Sequence, residues 1–137
     1  APTNPVWWGN LGDALLQTDG GRVAATEAYR EATKLADEML QANPDDAEVL
    51  TNLGYYHARL GEDRLAMSYL ARAEIAAPHD IYVYYYAALA HLEAGRDQDA
   101  LTAVRQSLER GYPAVLLGRD PQFAALESND AFLGLIR

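Results

Sequence analysis

The sequence predicts an all-α fold in which about three helix-turn-helix repeats stack into a solenoid that is closed by short C-terminal helices. Two observations support this prediction. Glycine and proline divide the chain into Ala- and Leu-rich segments of about 14 to 20 residues, which is a helical length and too long for typical strands. In addition, a pattern of large and small residues recurs after 34 residues, which indicates an internal repeat.

Two copies of the repeat keep the same register. The segment LTNLGYYH (50–57) corresponds to YYYAALAH (84–91), and AMSYLARA (66–73) corresponds to ALTAVRQS (100–107). In each copy, small residues are spaced so that two helices can approach closely, while larger residues fill the space around the contact. The repeats are therefore predicted at about residues 5–44, 47–80 and 81–112, followed by a capping tail at 113–137.

The first copy departs from this spacing in its second half. Seven additional residues, Thr33–Met39, precede Pro44. Seven residues are close to two helical turns, so Leu35, Met39 and their apolar neighbours should continue the buried stripe of one helix. We therefore predict a lengthened second helix.

The segment IYVYYYAALA (81–90) favours a strand by propensity, since it is rich in tyrosine and β-branched residues. However, it occupies the first-helix position of a repeat, and Asp80 is a suitable N-cap. We therefore predict a helix. Gly61 and Gly95 are expected to form the turns within two repeats, and the tail should form short helices, one of them beginning at Asp120-Pro121.

These motifs resemble the tetratricopeptide repeat over about residues 5–112. The resemblance implies a right-handed superhelix whose first helices line a concave, partner-binding groove. The sequences NLGDALL, AYREATKLADEMLQANPDD and GYPAVLLGRDPQFAALESNDAFLGLIR are also similar to the C-terminal repeat regions of multidomain bacterial proteins. Such regions follow Ser/Thr kinase, nucleotide cyclase or winged-helix regulator domains.

The positions that face the groove in this family imply a set of partner-binding residues here. They are Asp13, Glu48, Thr51, Asn52, Tyr55, Arg59, Tyr82, Tyr85, Tyr86, Leu89 and Glu93. Tyr84 is expected in the core. The tyrosines of the third repeat could form an aromatic shelf for a partner, but the tail could instead fold back over them, or they could be ordinary surface residues.

Some members of the family hold a terminal carboxylate with a Lys/Asn/Lys/Arg clamp. Of the corresponding positions only Asn52 is retained, so binding of chaperone tails is not expected. A groove that contains Asp13, Glu48 and Glu93 favours a neutral or basic protein segment by charge complementarity.

Composition excludes several other classes of function. The net charge is −9 and no segment of the chain is basic, which disfavours nucleic acid and direct membrane binding. There is no cysteine, and His57 and His91 lie at a core position of the repeat, so we expect neither a metal nor a cofactor. No catalytic motif is present, and we predict that the protein is not an enzyme.

The predicted function is therefore a protein-interaction or scaffold module. The alternative is a regulatory or oligomerisation domain of a larger enzyme or transcription regulator, which would work through self-association as a homo-oligomer or through signal sensing. The sequence leaves the compartment open between the bacterial cytoplasm and the periplasm.

Overall fold

The computed structural model describes residues 2–137, and within this range all regular elements are helical. In chain order the elements are α1 (Pro5–Leu16), α2 (Arg22–Ala42), α3 (Ala47–Arg59), α4 (Asp63–Ala76), α5 (Ile81–Glu93), α6 (Asp97–Glu109), α7 (Ala114–Arg119), a 3₁₀ helix (Pro121–Leu126) and α8 (Asp130–Ile136). The predicted all-α helical-repeat fold is confirmed. None of the helices in residues 2–137 combines the length and apolar character needed to cross a bilayer.

Consecutive helices pack in pairs: α1 with α2, α3 with α4, and α5 with α6. Neighbouring pairs are joined mainly through contacts of α2 with α3 and of α3 with α5. In the tail, α7 packs on α8, α8 contacts α6, and the 3₁₀ helix contacts α5. The tail therefore covers the last helix pair, as an end cap of a repeat array must.

The small residues of the repeat lie where helices approach most closely. A β-carbon at Gly54 would lie only 2.5 Å from Cγ of Leu70, and Ala66 beside it is completely buried. The same relationship joins α1 and α2, because a β-carbon at Gly12 would lie 2.7 Å from Cε1 of Tyr29. These contacts confirm the predicted role of the glycine and alanine positions.

The turns within two repeats contain glycine, and α5 and the 3₁₀ helix begin at aspartate N-caps, as the sequence predicts. Gly61 and Gly95 have φ angles of +77° and +78°, in the left-handed region that glycine tolerates best. The Asp80 carboxylate accepts a hydrogen bond from the backbone N–H of Tyr82 at 2.9 Å, which confirms it as the N-cap of α5. Asp120 caps the 3₁₀ helix in the same way through Gln122.

Two segments show how the packing of the whole chain compares with what the local sequence predicts. Residues 81–90 belong to α5, so the strand propensity of the tyrosine-rich run is overridden by packing. The additional residues 33–39 lengthen α2 to 21 residues, as predicted. Ala36 and Leu40 are buried, but Met39 is 47% exposed because it faces the gap beside the N-terminal end of α1. Its predicted place in the buried stripe is wrong.

Candidate functional site

One surface of the molecule is shared by α1, α3 and α5, and we call it the α1–α3–α5 face. At one end of this face, a cleft of about 380 Å³ is lined by Val6, Glu48, Asn52, Tyr82 and their neighbours. An adjoining cleft of about 370 Å³ has three lining residues in common with it and extends to Met39 on α2. We call these two clefts together the open end.

The C-terminal tail covers a different part of the same face. The Phe123 ring stacks on Tyr85 with centroids 5.7 Å apart, and it also stacks on Phe132 at 5.9 Å. The Tyr85 hydroxyl donates a hydrogen bond to the Asp120 carboxylate. Consequently Tyr85 is only 8% exposed, and Leu89 is buried in the same cluster. The sequence left open whether the tail folds over the tyrosine rings. For Tyr85 it does.

A polar network of partly buried and buried side chains crosses the middle of the face. Oδ1 of Asp13 accepts hydrogen bonds from the hydroxyls of Tyr29 at 2.5 Å and Tyr55 at 2.7 Å. The Tyr55 hydroxyl also lies 2.9 Å from Oε1 of Gln122 in the tail, and its single hydrogen can be donated to one of these acceptors at a time. This network links α1, α2 and α3 to the tail.

Arg59 extends the network towards α5. Its Nε donates to the Tyr55 hydroxyl at 2.9 Å, its Nη1 pairs with Oε2 of Glu93 at 3.0 Å, and its Nη2 donates to Oε1 of Gln122. All three nitrogens of the guanidinium are therefore engaged within the molecule. Arg59 is therefore positioned to hold the tail in place.

The tyrosines of the network are held in the protonated state. Burial raises the pKa of Tyr29, Tyr55 and Tyr85 far above the usual range, and hydrogen bonds to Asp13 or Asp120 act in the same direction. At neutral pH these hydroxyls remain hydrogen-bond donors. They stabilise the arrangement of helices and tail and are not available as nucleophiles or bases.

The predicted groove residues differ in how much of each side chain is exposed to solvent. Glu48, Tyr82 and Glu93 are exposed, and Asp13, Asn52, Arg59 and Tyr86 are partly buried. Thr51 is 4% exposed, donates to the Ala47 carbonyl and lies in the floor of the open end. The expectation that Tyr55, Tyr85 and Leu89 line an accessible groove does not hold, because the network and the tail bury them. Tyr84 is buried, as predicted.

Sequence reasoning missed several residues of this face. Asp120, Gln122 and Phe123 come from the tail, where the 34-residue pattern has ended and gives no register. Val6 and Met39 lie outside the family positions, yet both line the open end. Their exposure depends on where neighbouring helices begin and end, which no local sequence signal specifies.

The histidines of the repeat have structural partners. His57 is 7% exposed, stacks on Tyr69 with ring centroids 5.4 Å apart, and lies with its Nδ1 3.0 Å from Oε1 of Glu62. His91 is partly buried and accepts a hydrogen bond from Arg96. Both support packing between helices, as the sequence indicates.

No group of three or more His, Cys, Asp or Glu side chains is arranged to hold a metal ion within residues 2–137. Comparison of the chain with protein-family models gave no match, and no curated protein sequence is significantly similar to it.

Proposed function

We propose that this protein is a non-enzymatic interaction module of the tetratricopeptide-repeat type, which binds a segment of a partner protein at the open end. One observation carries the proposal: Val6, Met39 and Tyr82 are 37%, 47% and 54% exposed, and Val6 lines both adjoining clefts, Met39 one of them and Tyr82 the other. Exposed apolar side chains that line a cleft are typical of contact sites, whereas single exposed ones are not.

The polar groups of the open end suit a polypeptide ligand. Tyr82 has a phenolic hydroxyl, and Asn52 has an amide that both donates and accepts hydrogen bonds. The backbone of a bound segment can use these groups while its apolar side chains contact Val6 and Met39. Tyrosine is favoured at such sites because it combines a large contact area with low conformational entropy.

Selection from a random dodecapeptide display library on the immobilised protein tests the proposal. We expect enriched peptides whose affinity, measured by fluorescence polarisation, falls roughly fivefold or more in Tyr82→Ala. Ile75→Ala is the matched control, because Ile75 is 83% exposed on α4 and does not line the open end. Circular dichroism should show that both variants remain folded.

Two results would contradict the proposal. The selection could yield no binding peptide, or the enriched peptides could bind Tyr82→Ala and the unchanged protein equally well. In either case the open end is not a peptide site, and the exposed residues around it require another explanation.

A second candidate, a regulatory or oligomerisation domain, is favoured by one feature of the tail. Val115 and Leu116 are consecutive on α7 and are 56% and 50% exposed, so they form an apolar pair outside the open end. Sedimentation velocity over a hundredfold concentration range tests this candidate. A concentration-independent monomer would argue against self-association.

A further inference from the structure

We infer that the partner segment carries a positively charged side chain, arginine or lysine, and that this side chain docks in the cleft lined by Glu48 and Tyr82. The inference rests on the proposed function and narrows it, since it specifies the chemistry of the segment and the residues that recognise it. Three features of the open end lead to this inference: its negative charge, the hydrogen bonds that its carboxylates already make and the fixed positions of its aromatic rings.

The open end is acidic. Asp46 and Glu48 line one cleft, Glu48 and Asp80 line the other, and within the described residues neither lining includes Lys, Arg or His. Arg72 and Arg110 donate to the carbonyls of Pro44 and Pro78, close in sequence to Asp46 and Asp80, but neither arginine lines the clefts, and the whole chain carries a net charge of −9. A cationic side chain is therefore attracted to the open end, and an anionic one is repelled.

The three carboxylates differ in what they already bind. Asp46 accepts from the backbone N–H groups of Glu48 and Val49 at 3.1 and 3.2 Å, and Asp80 caps α5 through Tyr82. Glu48 is exposed, and within residues 2–137 its carboxylate takes part in no hydrogen bond or ion pair with another side chain. Glu48 can therefore pair with an incoming cation without breaking an existing contact, while the two capping carboxylates add to the local field.

The aromatic rings beside Glu48 are held in position. Tyr82 packs edge-on against Tyr112 with ring centroids 6.4 Å apart and an interplanar angle of 88°. Tyr86 lies between Tyr55 and Tyr85, with ring centroids 5.0 and 5.1 Å away. A fixed ring next to a carboxylate suits a cation that packs over the aromatic face. The aliphatic stem of Arg or Lys can pack on Val6 at the same time.

Other occupants fit this chemistry less well. A second copy of the chain would bring its own excess of negative charge to an acidic surface. A terminal carboxylate is disfavoured, because the lining of the open end contains three carboxylates and no Lys, Arg or His. A basic segment of another protein is the occupant that the charges favour.

The experiment uses the dodecapeptides selected on the intact protein. We expect them to be enriched in Arg or Lys. For one selected peptide, replacement of the basic residue by Gln should weaken binding to the unchanged protein about tenfold. On Glu48→Gln the two peptides should differ by less than about threefold. The control Glu109→Gln removes an exposed carboxylate of α6 that does not line the open end, and it should behave like the unchanged protein.

Charge reversal provides a second readout. Glu48→Arg should reject the basic peptide and should regain affinity for a peptide in which the same residue is Glu. Peptides that depend on Tyr82 but contain no basic residue, or whose basic residue is insensitive to Glu48, would overturn this inference and leave the proposed function intact. If no selected peptide depends on Tyr82, the proposed function itself is wrong and this inference fails with it.

Discussion

His57 and His91, which occupy equivalent positions 34 residues apart, bind side chains of opposite charge through the same ring nitrogen. Nδ1 of His57 lies 3.0 Å from a carboxylate oxygen of Glu62, whereas Nδ1 of His91 accepts a hydrogen bond from Nε of Arg96 at 3.0 Å. A carboxylate only accepts and a guanidinium only donates, so His57 carries a proton on Nδ1 and His91 does not. Equivalent positions of the repeat therefore have opposite hydrogen-bonding roles at Nδ1.

The first prediction concerns pH. Burial and the nearby Arg96 guanidinium lower the pKa of His91, although Asp99 and Asp63 partly oppose this. Because the unfolded chain binds the proton with a pKa of about 6.5, the folded state is disfavoured as the pH falls through that value. Urea unfolding at pH 7.5 and 5.5 should show a larger loss of stability in the unchanged protein than in His91→Gln. Equal losses would contradict the assignment.

Acidic groups of the same region titrate in a separate window. Hydrogen bonds from Arg30 and Arg96 lower the pKa values of Glu62 and Asp63, respectively. A lowered carboxyl pKa stabilises the fold above the unfolded value of about 4, and this stabilisation is lost as the pH falls further. These two carboxyl groups therefore titrate below the window between pH 7.5 and 5.5.

The second prediction concerns the contact between α3 and α4. Gly54→Ala places a methyl group 2.5 Å from Cγ of Leu70, and we expect it to lower the free energy of unfolding by about 1 to 3 kcal/mol. Gly134→Ala on α8 is the matched control, since a β-carbon there meets no atom within 4 Å. The control should be neutral or stabilising by up to about 1 kcal/mol. Urea denaturation measures both, and equal effects would show that Gly54 is not a packing constraint.

The third prediction concerns Asp13, which accepts from two buried tyrosine hydroxyls. Asp13→Ala leaves both donors without this acceptor and should destabilise the fold by about 1 to 3 kcal/mol. Asp13→Asn keeps an acceptor oxygen and should cost less. Asp19→Ala, in an exposed turn, should have little effect. If Asp13→Ala and Asp19→Ala are equally stable in urea, the network does not contribute to stability.

The fourth prediction concerns the tail. Phe123 is 2% exposed between Tyr85 and Phe132, so Phe123→Ala should cost about 3 to 5 kcal/mol. Leu116→Ala removes a half-exposed side chain of the same tail and should change stability by less than about 0.5 kcal/mol. Thermal and urea unfolding distinguish the two. A small effect of Phe123→Ala would mean that the tail is only loosely attached.

The sequence alone was sufficient to predict the helices that follow the 34-residue repeat. Gly54 and its equivalents have fixed spacing because the two helices of each repeat meet in the same way, so a period in the sequence translates directly into a period of contacts. The lengthened α2 could be predicted for a related reason, since seven residues return a helix to nearly the same face.

The tail and the exposure of the face could not be predicted in this way. Gln122 contacts Tyr55 and Arg59 across more than 60 residues of chain, and such long-range pairs leave no periodic signal. Family positions indicated which residues point towards the α1–α3–α5 face, but the tail decides that Tyr85 is covered and Tyr82 is not. Accessibility at this surface is a property of the whole chain.

The unequal lengths of the first two helices shape the open end. α2 has nine residues more than α1, which corresponds to about 13 Å at 1.5 Å per residue. The C-terminal part of α2 contributes Ala36 and Met39 to one cleft of the open end, so the extra length forms part of its wall. On the proposed function, an insertion of two helical turns is a means of changing which partner segments fit the open end.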